Sequence, residues 1–397
     1  MKAFSIFLLF LLCLPVTAFA QPDSYGGSGD IREQMQLAID RQLEGLNVER
    51  WDEFIEEIQQ QGNPAFQEGN ARDLIKKILT GEFSLNLRDF CVHITSIFYR
   101  EVMANLGLMA KIIALAVVCG VLKNMQDSFQ SVSAAEVAYF VCYMVVMLMV
   151  IHSIMSALEI GRRAVDAMAS FTQSFFPVLL ALLVSVGGMT SSALLNPTIG
   201  LLVGFMGMVL EHVMFPLILA SVVVIMINHI SDKVQLNRLS SLLKNVCEWA
   251  LGIIFTVFVG ALTVQGVMAA SIDGISIRTA KFAVDTFVPV VGKMFAQAVD
   301  MVVGCSLLIK NAVGLMGLLV IASICLYPVL KILCVMAIYK LASAVLEPVT
   351  DKRIADCLND IGNMMIIIAI TVAGMAIVFF LVITLVIGIG NAATMMR

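Results

Sequence analysis

Residues 362–390 read GNMMIIIAITVAGMAIVFFLVITLVIGIG, an unbroken stretch without one charged side chain. A helix needs about 20 apolar residues to cross a ~30 Å hydrocarbon layer. This stretch therefore reads as a membrane-spanning helix, and the remainder of the chain follows its example. Further apolar blocks occupy 106–122, 136–157, 176–195, 198–229, 246–269, 289–308 and 312–347. Apolar residues make up 60% of the 397 and charged residues only 14%, where a soluble domain carries about 25% charged. The expected class is all-α: a polytopic helical membrane protein of about six to eight spans. The net charge is −4, and no basic stripe suggests a nucleic-acid partner.

The N-terminus reads as a separate unit. Lys2 forms a short basic region, Phe4 to Leu14 an apolar run too short to span, and Ala18-Phe19-Ala20 a small-residue cleavage site. Residues 1–20 are thus expected to be a signal peptide, leaving Gln21 as the mature terminus outside the cytoplasm. Residues 21–101 form an extracytoplasmic region with 15 acidic and 8 basic residues. After a flexible Ser24–Gly29 stretch it shows helical periodicity at Ile31, Met35, Ala38, Ile39 and Leu43. The pattern resumes at Trp51, Phe54, Ile55 and Ile58, and again at Leu74, Ile75, Ile78 and Leu79. Either these helices pack upon one another or on the bilayer, or they offer a docking surface to other exported proteins.

Enzyme motifs are missing from the sequence. No G-x-x-x-x-G-K-[ST], G-x-S-x-G or H-E-x-x-H occurs. The nine cysteines include no C-x-x-C, and the four histidines are scattered. Neither a catalytic set, a cofactor nor a metal is expected, and any transport must draw on a gradient or a partner.

Prolines point to an internal repeat. Phe175-Phe176-Pro177-Val178 resembles Phe287-Val288-Pro289-Val290, and Phe215-Pro216 resembles Tyr327-Pro328 at the same offset. The chain accordingly divides into a first membrane segment pair (102–157), repeat 1 (158–269), repeat 2 (270–390) and a tail (391–397). Corresponding points of repeated halves often carry function in membrane proteins. Between its prolines the first copy holds Gly187-Gly188 and Asn196-Pro197, and the second holds Lys310-Asn311. These stretches are either broken helix lining a conduit or close packing by small residues, as in Gly200-x-x-x-Gly204. Glu211, beside Pro216, is either a pore residue or an interfacial residue at a kink.

Basic clusters leave the orientation open. Arg238/Lys244 and Arg278/Lys281 flank one apolar block, so both cannot be cytoplasmic. The segment Asp273–Phe282 reads as an interfacial amphipathic helix, with Arg278 and Lys281 on one side and Ile277, Ala280 and Val284 beside them. Asp273, Arg278 and Lys281 are therefore candidate partner or interface contacts, the basic pair to lipid phosphates or Arg278 to a carboxylate of a partner.

The run Asp273-Gly274-x-x-Ile277-Arg278-Thr279-Ala280-Lys281-Phe282 is followed by Phe287-x-Pro289-Val290-Val291-Gly292-x-Met294-Phe295 and by Lys310-Asn311-x-Val313-Gly314. Together these resemble the stage III sporulation protein AE family of endospore-forming bacteria. The resemblance implies a non-enzymatic part in a channel complex between mother cell and forespore, in the mother-cell membrane around the forespore. It implies as partners the other stage III sporulation A-operon proteins, including an ATPase member, and through them stage II sporulation protein Q. Membrane lipid completes the surroundings. A stand-alone secondary transporter is the competing expectation.

Overall fold

The computed structural model describes Gly45 and residues 48–395, apart from 61, 63–65, 67–68, 84–86, 129–132, 231–235, 288–291, 349 and 351. Its side-chain description further excludes 87, 124–136, 230, 269–301 and 392–395. The expected signal peptide and the 31–43 helix lie outside the described residues. Among those described, all regular structure is helical. Two short helices come first, α1 (Glu49–Gln60) and α2 (Ala71–Thr80). Then follow α3 (Leu87–Ser128), α4 (Ser133–Ser185), α5 (Met189–Val209), a π-helical turn (Leu210–Met214), α6 (Phe215–Ile230), α7 (Asn237–Phe287), α8 (Gly292–Leu346) and α9 (Lys352–Met395).

Six helical stretches are long and apolar enough to cross a membrane: Arg88–Lys123, Val137–Ser185, Met189–His229, Asn237–Met268, Val302–Leu346 and Lys352–Asn391. Six is fewer than the eight apolar blocks because helices run through several block boundaries. Helix α8 carries both the 289–308 and the 312–347 blocks, since Ile309-Lys310-Asn311 contains no breaker once the lysine is satisfied. Helix α4 likewise carries its apolar ends across the charged Glu159–Asp166 stretch.

The spine is α9. It is the most apolar span and touches α4, α5, α6, α7 and α8, with its longest interface against α8. Small residues bring these neighbours close. A Cβ on Gly161 of α4 would meet Ile368 and Val372 at 3.3–3.4 Å, and one on Gly266 of α7 would meet Leu385 at 2.9 Å. Gly374 receives the Phe255 ring, and Gly314 of α8 receives Ile387. Read along α9, these contacts show α4 and α7 running with it. Helix α8 runs against it, as do α5 and α6 and, through α8, α3.

Helix α4 turns back into α5 through glycines. Gly187 adopts φ 102°, a conformation favouring residues without a Cβ. Its N–H bonds to the Val184 carbonyl at 2.9 Å, and that of Gly188 to the Leu183 carbonyl at 3.0 Å. This paired closure satisfies the final carbonyls of a helix. Gly161 and Phe215, equally far from Gly188 along the chain, touch, so α4 and the α5–α6 arm form an antiparallel hairpin.

The expected equivalence of two proline-bounded segments is not reproduced in the helices. The first is interrupted at 186–188, whereas its counterpart is continuous helix through Gly304–Asn311. Residues 158 and 270, the expected repeat boundaries, fall inside α4 and α7. Pro216 follows a π-helical turn and Pro328 lies within α8, while Pro289 lies outside the described residues.

Helices α1 and α2 are not a free-standing unit. Trp51 of α1 is fully buried with its ring 5.0 Å from that of Phe175 of α4, and Phe54 meets Phe171 edge-on at 5.4 Å. Gly317 of α8 makes room for the Phe175 ring. Asp52 accepts the first N–H of α2, from Ala71, at 2.7 Å, so α1 also holds α2 in place.

Candidate functional site

Polar side chains inside the bundle gather along α8 at three levels, each held by a different neighbour. Nearest the Gly187 end, Lys310 is fully buried. Its ammonium donates to the Ile387 carbonyl at 2.8 Å and to Asn391 Oδ1 at 3.5 Å. The fit depends on Gly390, where a Cβ would collide with Lys310 Nζ. Asn311 Oδ1 is buried beside it without a hydrogen-bond partner. A buried cation within a span is expensive unless backbone or side-chain acceptors surround it, and the end of α9 supplies them.

Half-way along α8, Tyr327 donates its hydroxyl to Glu101 Oε1 at 3.0 Å, joining α8 to α3. Glu101 is only 7% exposed. Lys331 lies over the Tyr327 ring at 5.7 Å, one turn along the helix.

At the far end of α8, Lys340 donates to Asn359 Oδ1 at 2.9 Å and to Asn363 Oδ1 at 2.6 Å. Gly362 leaves space for its stem. His229 at the end of α6 approaches Asp360 at 4.0 Å, and Asn228 bonds to Asn237 and to the Leu236 N–H, bridging α6 to α7. Four helices thus meet in one polar cluster.

A further set of charges faces outward. On α4, Glu159 pairs with Arg163, and Arg162 lies 5.8 Å from the Phe215 ring centroid. The π-helical turn opposite presents Glu211 and His212 while burying Leu210 and Met214. Pro216 explains the turn: its ring would strike the carbonyl four residues back, and one widened turn relieves the clash. Such turns recur at functional sites.

The expected site residues therefore fall in four places. Gly187 and Gly188 form the reversal between two spans. Asn196 and Pro197 lie inside α5 on its exposed face. Glu211 sits in the π-helical turn. Lys310 and Asn311, where the sequence left open either broken helix or close packing, lie in unbroken helix, because Lys310 is accommodated by α9. The structure does not bring these residues into one cluster. Asp273, Arg278 and Lys281 belong to the continuing helix α7, and their side chains lie outside the described residues. Sequence reading passed over Lys340 and Glu101, whose only local signal was a charge next to or within an apolar block. Among the described residues, no group of His, Cys, Asp and Glu could hold a metal ion.

The model of the stage III sporulation protein AE family matches residues 69–390, beginning just before α2 and ending at Gly390. Stage III sporulation protein AE of Bacillus subtilis (strain 168) is 33% identical over 368 residues, covering 93% of this chain and 92% of that relative. No solved structure matches. With six helices fit to cross a membrane and a family match over most of its length, the chain is a multi-pass membrane protein that belongs to the stage III sporulation protein AE family.

Proposed function

We propose that this protein is a non-enzymatic membrane component of a channel complex joining mother cell and forespore, seated in the mother-cell membrane with α1 and α2 outside the cytoplasm. The family match across 69–390 carries the reading. The fold supports it: the charged groups inside the bundle are engaged in holding helices together, as in the Lys310, Glu101 and Lys340 contacts. The sequence contains no phosphate-binding loop, so energy would come from an ATPase among the other stage III sporulation A proteins. Stage II sporulation protein Q would be engaged through them from the forespore side.

The test is complementation. A Bacillus subtilis strain lacking its own AE protein should regain heat-resistant spores when this chain is expressed, and the other stage III A proteins should co-purify with it in detergent. Spores without co-purification would favour a stand-alone transporter. Stable membrane insertion with neither result would reject the reading.

A further inference from the structure

Along 137–155 the outward side chains of α4 include Phe140, Leu148 and Met155, as apolar as those of its neighbours, but no large apolar residue is fully exposed between 159 and 185. From Glu159 the exposed positions recur every three or four residues as Arg163, Asp166, Ser170 and Gln173, ending at Ser185. Only a proline and an alanine intervene between the last two. One continuous face, roughly 39 Å long at 1.5 Å per residue, thus carries no fully exposed large apolar group, although Val184 near its end is half-buried. Glu211 and His212 of the π-helical turn extend it sideways.

The level of this stripe decides its meaning. Against α9, Gly161 stands at Ile368–Val372, and Leu179 meets Gly314 where Ile387 does. Helix α7 passes the same stretch of α9, with Phe255 at Gly374 and Gly266 at Leu385. There α7 turns Val257, Val264 and Val267 outward, each at least 60% exposed, and α5 presents Leu201 and Phe205 at 73% and 64%. One side of the bundle is therefore built for acyl chains at the level where the α4 side is hydrophilic. A segment lying wholly outside the bilayer would not carry that apolar surface. Lipid against the stripe would strand charges of both signs, and a dry contact with an apolar protein face would desolvate them without new partners.

We propose that the α4 stripe is wetted within the membrane and forms one wall of a water-filled passage for hydrated ions or small polar solutes, with the remaining walls supplied by other protein. The inference rests on the channel reading above and assigns it a face. Charges of both signs suit a passage that admits polar solutes without strong selection by charge.

Cysteine accessibility in the complementing, sporulating strain tests it. In the full-length chain with the exposed Cys91 replaced by Ser, single cysteines are placed by Ser170→Cys, Gln173→Cys and Ser185→Cys. Reference positions are Leu201→Cys, Phe205→Cys and Val257→Cys. A membrane-impermeant, charged thiosulfonate should modify stripe positions at least about tenfold faster than references, because only hydrated thiols form the reactive thiolate. Equally slow reaction at both sets would overturn the proposal in favour of a stripe covered by lipid or protein. Equally fast reaction would overturn it by placing the whole level outside the bilayer. Spore counts on the same strains separate the two ideas. Normal sporulation with a dry stripe removes only this inference, whereas failed complementation by the parent chain removes the channel reading itself.

Discussion

Lys310 illustrates how a single residue can be misread when its partner is distant in sequence. A charge between two apolar blocks suggests a weak or broken helix, yet α8 continues because the ammonium reaches acceptors on α9 and Gly390 leaves the space. The dependence is testable. Gly390→Ala should lower stability by about 1–3 kcal/mol, the usual cost of overpacking a close contact. Lys310→Met keeps the volume and removes the need for acceptors, so in combination with Gly390→Ala it should recover part of the loss. Thermal midpoints of the four variants in detergent would show this as non-additivity. Additive losses would mean that the lysine and the glycine do not share one site. Nothing local in Lys310-Asn311 reveals the acceptors 77 residues along the chain. Gly187 differs in this respect, because paired glycines after an apolar run signal a helix end in the sequence itself.

Among the elements, those with a strong internal pattern were the most legible. The stripe Trp51, Phe54, Ile55 and Ile58 indicated an amphipathic helix at α1, where Trp51, Ile55 and Ile58 are buried. Its receptor was not legible, because Phe171 and Phe175 are separated from it by more than a hundred residues and are presented by α4 only after α8 supplies Gly317. Helix number was also hard to read: a run of charges such as Glu159–Asp166 looks like a connection, but on a helix it occupies one face while Leu158, Ala164 and Val165 stay buried. The α1 contact yields a second prediction. Trp51→Ala removes a fully buried indole, a change costing about 3–5 kcal/mol where the site cannot collapse. The loss should fall on the attachment of α1 and α2, while the spans remain folded. Limited proteolysis of the membrane-inserted protein should then cut between α1 and α2 much faster, with the 88–395 portion persisting. Unchanged cleavage would show that α1 is held by something other than the aromatic cluster.

For the whole molecule, the alternating directions of the six stretches fit to cross a membrane determine how the two ends of the described chain relate. Helices α1 and α2 pack where α4 carries Phe171 and Phe175 and α8 carries Gly317, toward the end of the bundle closed by Gly187. Asn391 meets Lys310 at that same end, so the C-terminal end of α9 emerges on the side of α1 and α2. The alternating run of spans also resolves the conflict among basic clusters. Arg238 and Lys244 begin α7 at the end where Lys352 and Arg353 begin α9, whereas Arg278 and Lys281 lie past the apolar part of α7, toward the other end. If α1 and α2 are outside the cytoplasm, the first two clusters are cytoplasmic, which agrees with the preference of basic residues for that side. Alkaline phosphatase, active only outside the cytoplasm, should therefore be active when fused after Arg397 and inactive when fused within 231–236. A fluorescent protein that folds only in the cytoplasm should give the reverse pattern. Activity of the phosphatase at 231–236 with silence at the C-terminus would invert the molecule, placing α1 and α2 in the cytoplasm and contradicting the exported N-terminus. Activity at both positions would require an even number of crossings between them, which the α7, α8 and α9 spans supply only if one of the three fails to traverse the bilayer.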